Sequence, residues 1–223
     1  MLQRKSKKIL IYLFLLIIIT TFNNKNFNNI NFGKIDNIFI KGLEERENFQ
    51  LIENLNFLKN KNILFLNRVK IKDVIEKNTL VEKYSVFRLY PSSLNVIINK
   101  TNFLAVTKKD GNNFLLGSNG KMTITYETNH NLPFIFGDFN IEKFFELKKA
   151  MHETKFDFDE VKNLYFFKSG RWDVETKYGL LIKLPKKELK KSLEYLINFL
   201  KTENLNEIKE IDLRQHKQII ING

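Results

Sequence analysis

Ile9 to Phe22 reads ILIYLFLLIIITTF, fourteen residues without a charge, directly behind Arg4, Lys5, Lys7 and Lys8. Nothing comparable recurs in the rest of the 223-residue chain. At ~1.5 Å rise per residue the run makes about 21 Å of helix, short of the ~30 Å hydrocarbon core of a bilayer. Snorkelling lysines and local thinning supply part of the difference. A cleaved signal peptide shares the basic front and short apolar centre, but it needs a small-residue cleavage site, and Thr20-Thr21-Phe22-Asn23-Asn24 has no A-x-A pattern. The run therefore reads as an uncleaved anchor, with a cleaved signal and a buried core helix as the alternatives. The excess of basic residues before it predicts a cytoplasmic tail over 1–8, a transmembrane anchor over 9–22, and everything after about Asn23 outside.

About two hundred residues follow, enough for one ordinary domain or two small ones. Cysteine is absent, so disulfides, thiol chemistry and zinc-thiolate sites are excluded. The net charge is +12, four of it in the first eight residues. A nucleic-acid surface would need an arginine stripe or interleaved aromatics, whereas Lys108-Lys109 and Lys186-Lys187 fall at element ends and read as solvated surface. An acidic protein partner is compatible with the balance.

Residues 23–31 are Asn-rich and read as a linker. Ile35 to Ile40 predicts a strand, Phe49, Leu51, Ile52, Leu55 and Leu58 a helix, and Val69, Ile71, Val74 and Ile75 a second one. Val81 to Tyr90, Pro91-Ser92-Ser93 and Leu94 to Ile98 read as a hairpin, because Pro cannot sit inside a central strand and so marks a corner. The order β-α-α-β-β defines a first domain over 32–102.

From Phe103 the texture changes to short strands, FLAVTKK, NFLLG and KMTITY, joined by turns at Asp110-Gly111 and Ser118-Asn119-Gly120. A helix is predicted over 141–151, then strands over 161–167, 172–176 and 180–184. Leu189, Leu193, Leu196, Ile197 and Leu200 form an amphipathic stripe behind Pro185. Ile208 to Leu213 and Gln218 to Ile221 are the last strand candidates. The fold class is α+β, with a mixed β domain over 103–223 carrying two packed helices.

Several local patterns resemble the extracytoplasmic region of the FtsQ/DivIB family of bacterial cell-division proteins, whose first module is a POTRA domain. They are Val81 with Val86-Phe87-Arg88-Leu89-Tyr90-Pro91-Ser92-Ser93-Leu94, Ala105 after Phe103, Leu132-Pro133 with Gly137, Arg171-Trp172 with Gly179 and Leu184, and Asp212-Leu213-Arg214. Departures stand beside them. Lys100-Thr101-Asn102-Phe103-Leu104-Ala105 keeps only the alanine of the family's Glu-Arg-x-Pro-x-Ala, and Leu80 and Pro185 stand where tryptophan and glycine are frequent.

The resemblance implies a non-enzymatic divisome scaffold in the inner membrane at the septum, with no cofactor. It would bind FtsB-like and FtsL-like bitopic division proteins and help to assemble septal wall synthesis. It also implies that the FtsB-like partner adds a strand to the edge of the last strand. Gln218, Ile219, Ile220 and Ile221 would supply that edge, with Arg171, Trp172, Arg214 and Lys217 beside it. Arg88, Tyr90 and Pro91 read as the structural corner of the POTRA hairpin.

Two other classes compete. His130, His152 and His216 lie far apart with no H-E-x-x-H pair, and His152-Glu153 with Asp157, Asp159 and Glu160 reads as a solvated loop rather than a metal site. Acids distant in the chain converge only in three dimensions, so a membrane-anchored envelope hydrolase stays as the rival enzyme class. A POTRA-type assembly factor is the other alternative; it would need a transmembrane barrel after the module, and the two helices among the ~120 residues of the β domain count against it.

Overall fold

The computed structural model describes residues 3–21, 33–126, 131–202, 208–215 and 218–222. The predicted linker, Lys217, His130 and His216 lie outside the described residues. Helix α1 (Gln3–Thr21) holds the apolar run from Ile9 to Thr21. Among the described residues no helix is long and apolar enough to cross a membrane.

The chain divides into two compact units, residues 1–77 with 84–99, and residues 78–83 with 100–223. In the first, β1 (Asn37–Lys41), α2 (Glu45–Asn54), α3 (Arg68–Lys77), β2 (Val81–Leu89) and β3 (Ser93–Lys100) follow the expected order. The sheet order is β1-β3-β2, with β1 parallel to β3. A capping box between Glu44 and Glu47 starts α2, and its ladder gives way to a 3-10 turn over Asn56–Leu58. Ile38 and Ile40 from β1, Leu94, Val96 and Ile98 from β3, and Leu51, Ile71 and Ile75 from the helices are buried together at the alternating and helical positions expected of a sheet covered on one face. Ile35, predicted in the first strand, is instead buried in the loop before it. Gly42 has φ +113°, and a Cβ there would lie 1.8 Å from the Ile98 carbonyl oxygen. Only glycine satisfies both constraints.

The second unit is built on a nine-stranded sheet in the order β12-β11-β10-β9-β8-β7-β4-β5-β6. Its strands are β4 (Phe103–Lys109), β5 (Asn112–Gly117), β6 (Met122–Thr125), β7 (Phe134–Phe136), β8 (Val161–Phe166), β9 (Trp172–Thr176), β10 (Leu181–Lys183), β11 (Glu210–Asp212) and β12 (Ile220–Asn222). The two helices are α4 (Ile141–Thr154), capped by the Asn140 side chain, and α5 (Leu189–Thr202).

Ile135, Leu164, Val174, Ile182 and Ile211 line one sheet face and pack with Phe144, Leu147, Leu193 and Leu196 of the helices. Strand β7 was missed by the sequence reading, yet it joins the two halves of the sheet by parallel pairing with β4 and β8. Gly137 follows it with φ +95°, its absent Cβ only 2.2 Å from the Phe166 carbonyl oxygen.

Candidate functional site

Registers across the sheet place residues at the β12 end in rows. On the helix-facing side Leu164, Val174, Ile182, Ile211 and Ile221 align, and on the other side Tyr165, Asp173, Lys183, Asp212 and Ile220. Strand β12 is the terminal strand, antiparallel to β11, and no strand among the described residues pairs with its outer side. Its two isoleucines therefore present apolar surface on both faces of an open edge, Ile220 39% and Ile221 43% exposed. Asn222 ties the strand to β11 through a 2.9 Å hydrogen bond from its Nδ2 to Glu210 Oε1.

The strand begins later than Gln218. Ile219 lies on the helix-facing side and packs against the core, so it closes the hydrophobic interior rather than offering an edge. Gln218 lines a cavity of about 760 Å³ between the start of α5 and the β11–β12 connection, with Ile219, Lys186, Lys191, Tyr195 and Arg214. This basin opens beside the edge strand and is rich in cations.

The charged flank is organised by the strands. Asp212 takes hydrogen bonds from the Arg214 backbone N and from Arg214 Nε, each at 2.9 Å, and the Arg214 Nη2 closes a forked pair on its second oxygen. The guanidinium hydrogen bond holds the Asp212 carboxyl below the usual carboxylate range and raises Arg214. Lys183 Nζ sits 2.6 Å from Glu210 Oε2, and this contact lowers Glu210.

One strand over, Arg171 Nε lies 3.7 Å from Asp173 Oδ1 and its guanidinium stacks 4.4 Å above the Phe167 ring. That separation is an ion pair rather than a hydrogen bond, and both atoms are buried without a hydrogen-bond partner. Burial pushes the Asp173 carboxyl up, against the pull of Arg171, Arg214 and Lys183.

Trp172 corrects the sequence expectation. It was placed among the residues beside the partner, but it is 1% exposed, with ring centroids 4.7 Å from Phe166 and 6.1 Å from Phe139. Its position on β9 shares the helix-facing parity of Val174, so the alternation of the strand turns the indole inward while Arg171 and Asp173 face the other way. Sequence reasoning missed Asp173, Lys183, Glu210 and Asn222, whose signal is a charged or polar residue at the outward position of each of four short strands.

In the first unit, the expected corner holds Tyr90 and Pro91 at the β2–β3 turn, and Arg88 Nη2 reaches the Leu64 carbonyl oxygen at a long 3.4 Å. No group of three or more metal-ligating side chains occurs among the described residues.

Residues 33–100 match the family described as POTRA domain, FtsQ-type, and residues 105–214 match Cell division protein FtsQ/DivIB, C-terminal. The chain belongs to the FtsQ/DivIB family.

The chain is also similar to individual proteins. The cell division protein FtsQ of Rickettsia bellii is 24% identical over 196 residues, covering 84% of this chain and 72% of the relative. FtsQ of Rickettsia felis is 25% identical over 199 residues with the same coverage of each, 84% and 72%. Among solved structures, the major extracytoplasmic domain of the trans isomer of DivIB from Geobacillus stearothermophilus is 13% identical, covers 44% of this chain and 88% of its own, and has a TM-score of 0.33. As a member of this family the chain is a cell-division protein of the divisome, with a POTRA domain followed by a C-terminal β domain. The C-terminal match ends at Arg214, so β12 lies beyond it.

Proposed function

We propose that this FtsQ/DivIB-family chain is a single-pass membrane protein that acts without catalysis. It holds small bitopic division partners, FtsB-like and FtsL-like, at the site of septal wall synthesis. In this reading α1 is the anchor. Its apolar residues from Ile9 onward enter the bilayer, and exposed Lys7 and Lys8 reach back to the cytoplasmic headgroups. The body lies on the far side of the inner membrane.

The observation that carries the partner reading is the open edge of β12. An added strand would gain main-chain hydrogen bonds along that edge, with Ile220 and Ile221 selecting alternate side chains. Lys186 and Lys187 of the neighbouring basin favour an acidic partner segment, whereas Arg214 and Lys191 are already paired with Asp212 and Glu188. An apolar open edge left unoccupied would be an aggregation hazard, which is a physical reason to expect an occupant.

The test is co-purification of an FtsB-like bitopic protein with the full chain and with Ile220→Lys. Ile220 is already partly exposed, so the lysine leaves the fold intact. Burying it under an added strand costs at least ~1.4 kcal/mol, or about tenfold in affinity. Unchanged capture by a folded variant rejects strand addition at β12.

A further inference from the structure

The end of the first unit where the chain enters carries an exposed apolar and cationic patch, and the geometry points to a lipid headgroup surface as its occupant. The inference rests on α1 being the anchor, and it adds a second membrane contact made by the folded domain itself.

Backbone hydrogen bonds gather three segments at this end. Gly33, the first described residue after α1, donates to the Pro91 carbonyl at 3.4 Å and accepts from the Ile63 N–H at 2.6 Å. Asp36 N–H binds the Ser92 carbonyl at 2.8 Å. The entry point, the turn after Asn62 and the β2–β3 corner are thereby neighbours.

The turn is built rather than loose. Ile63 is buried, while Asn62 Oδ1 accepts from Leu64 N at 2.8 Å and the Asn62 carbonyl accepts from Phe65 N at 3.2 Å. With Ile63 anchored inward, the turn drives Leu64 and Phe65 out, 53% and 84% exposed, beside the corner where Tyr90 is 64% exposed. Holding two large apolar side chains and a tyrosine in water by an ordered turn is not explained by the packing of the domain.

Two further observations select lipid. Residues 54–72 carry five basic side chains and no acid, with Lys61, Arg68 and Lys70 exposed around the turn. Aromatic side chains interleaved with cations match the composition of membrane interfaces, where rings sit at headgroup level and cations meet lipid phosphates. Connectivity supplies the other. Only residues 22–32 separate α1 from Gly33, at most about 40 Å of extended chain. A tether of that length keeps this end of the domain within about 40 Å of the end of α1, so the patch is within reach of the bilayer.

The chain has no cysteine, so one introduced cysteine carries a nitroxide at a single site. The full chain is placed in vesicles of phosphatidylethanolamine and phosphatidylglycerol, and collision with oxygen and with a water-soluble nickel chelate is measured for labels at Phe65→Cys, Leu13→Cys in α1, and Asn99→Cys at the opposite end of β3.

The expected result is oxygen-dominated, lipid-like accessibility at 65 and 13 and aqueous accessibility at 99. Adding Lys61→Glu with Arg68→Glu should return the 65 label to water while 13 stays immersed. A 65 label that is aqueous while 13 is immersed overturns the inference and leaves the anchor standing. A 65 label shielded from both reagents means a protein occupant and also overturns it. If 13 is aqueous, the anchor reading fails and the inference with it.

Discussion

Replacing Trp172 with alanine separates the core role its burial gives it from the contact role expected from the sequence. The indole is 1% exposed and meets the rings of Phe166 at 4.7 Å and Phe139 at 6.1 Å. Truncating a buried tryptophan to alanine costs roughly 3–5 kcal/mol, of which aromatic pairs contribute ~0.5–1.5 kcal/mol each beyond area. One contribution opposes this. Nε1 is buried without a hydrogen-bond partner, a penalty of about 1–3 kcal/mol that the variant removes. The loss should therefore fall toward the lower part of that range, about 3 kcal/mol. That is a large fraction of the ~5–15 kcal/mol stability of a typical domain. For a unit of this size it corresponds to a melting shift of roughly 10–15 °C.

Trp172 is the only tryptophan, so its emission in the unaltered chain should be blue-shifted and resistant to iodide, and it should disappear from the fluorescence of the variant. Stability is then read by circular dichroism in denaturant, and partner capture is measured below the transition. Trp172→Phe should recover most of the stability, since it keeps the ring contacts and drops the orphaned donor. A Trp172→Ala variant with stability changed by less than ~1 kcal/mol and with partner capture abolished would refute the core assignment.

Three further outcomes follow from the same geometry. Burial raises the Asp173 carboxyl, so its contribution to stability is present below the unfolded value and is lost as pH rises through the folded value. Asp173→Asn should accordingly melt higher than the unaltered chain at neutral pH, with the difference closing below about pH 4, where the parent aspartate is itself protonated. A lower melting temperature at pH 7 would show that the 3.7 Å pair with Arg171 outweighs desolvation. Asp212 has the opposite sign: the Arg214 hydrogen bonds lower its pKa, so their stabilisation holds above the unfolded value and is lost as pH falls through the folded one, which titration of Asp212→Asn against the parent chain would show as a gap closing in acid. Gly137→Ala forces a Cβ to 2.2 Å from the Phe166 carbonyl at a positive φ, and should cost at least ~1–3 kcal/mol in denaturant unfolding; a neutral result would mean that β7 and β8 part easily there.

Local patterning carried much of the fold. Phe103–Lys109 and Trp172–Thr176 fall within the expected bounds because strong turn signals, Asp110-Gly111 and Gly170, flank β-branched or aromatic residues. The apolar stripe from Leu189 to Leu200 likewise marks α5.

Strand β7 escaped because Phe134–Phe136 is three residues long, uniformly apolar and preceded by Pro133, so it has no period to read. Its role depends on parallel pairing with β4 and β8, segments some thirty residues away on either side.

The site divides in the same way. That the last segment forms a strand was legible in Ile219 to Ile221, but the inward turn of Ile219 follows from the register that sets Ile221 opposite Ile211, which sequence does not display. The row of Asp173, Lys183, Asp212 and Ile220 exists only through three separate pairings. Asp212 and Arg214 were named through the Asp212-Leu213-Arg214 pattern, but their forked pair needed the structure.

The most direct test of the edge-strand account is photo-crosslinking in living cells from a probe at Ile220, compared with one at Ile124 on β6, the terminal strand at the other end of the sheet. The account predicts an adduct from Ile220, identified by mass spectrometry as a small single-span coiled-coil protein, and its loss when Ile221→Pro disrupts the edge. An adduct with that partner from Ile124 and none from Ile220, in cells that express and export the chain normally, would contradict it.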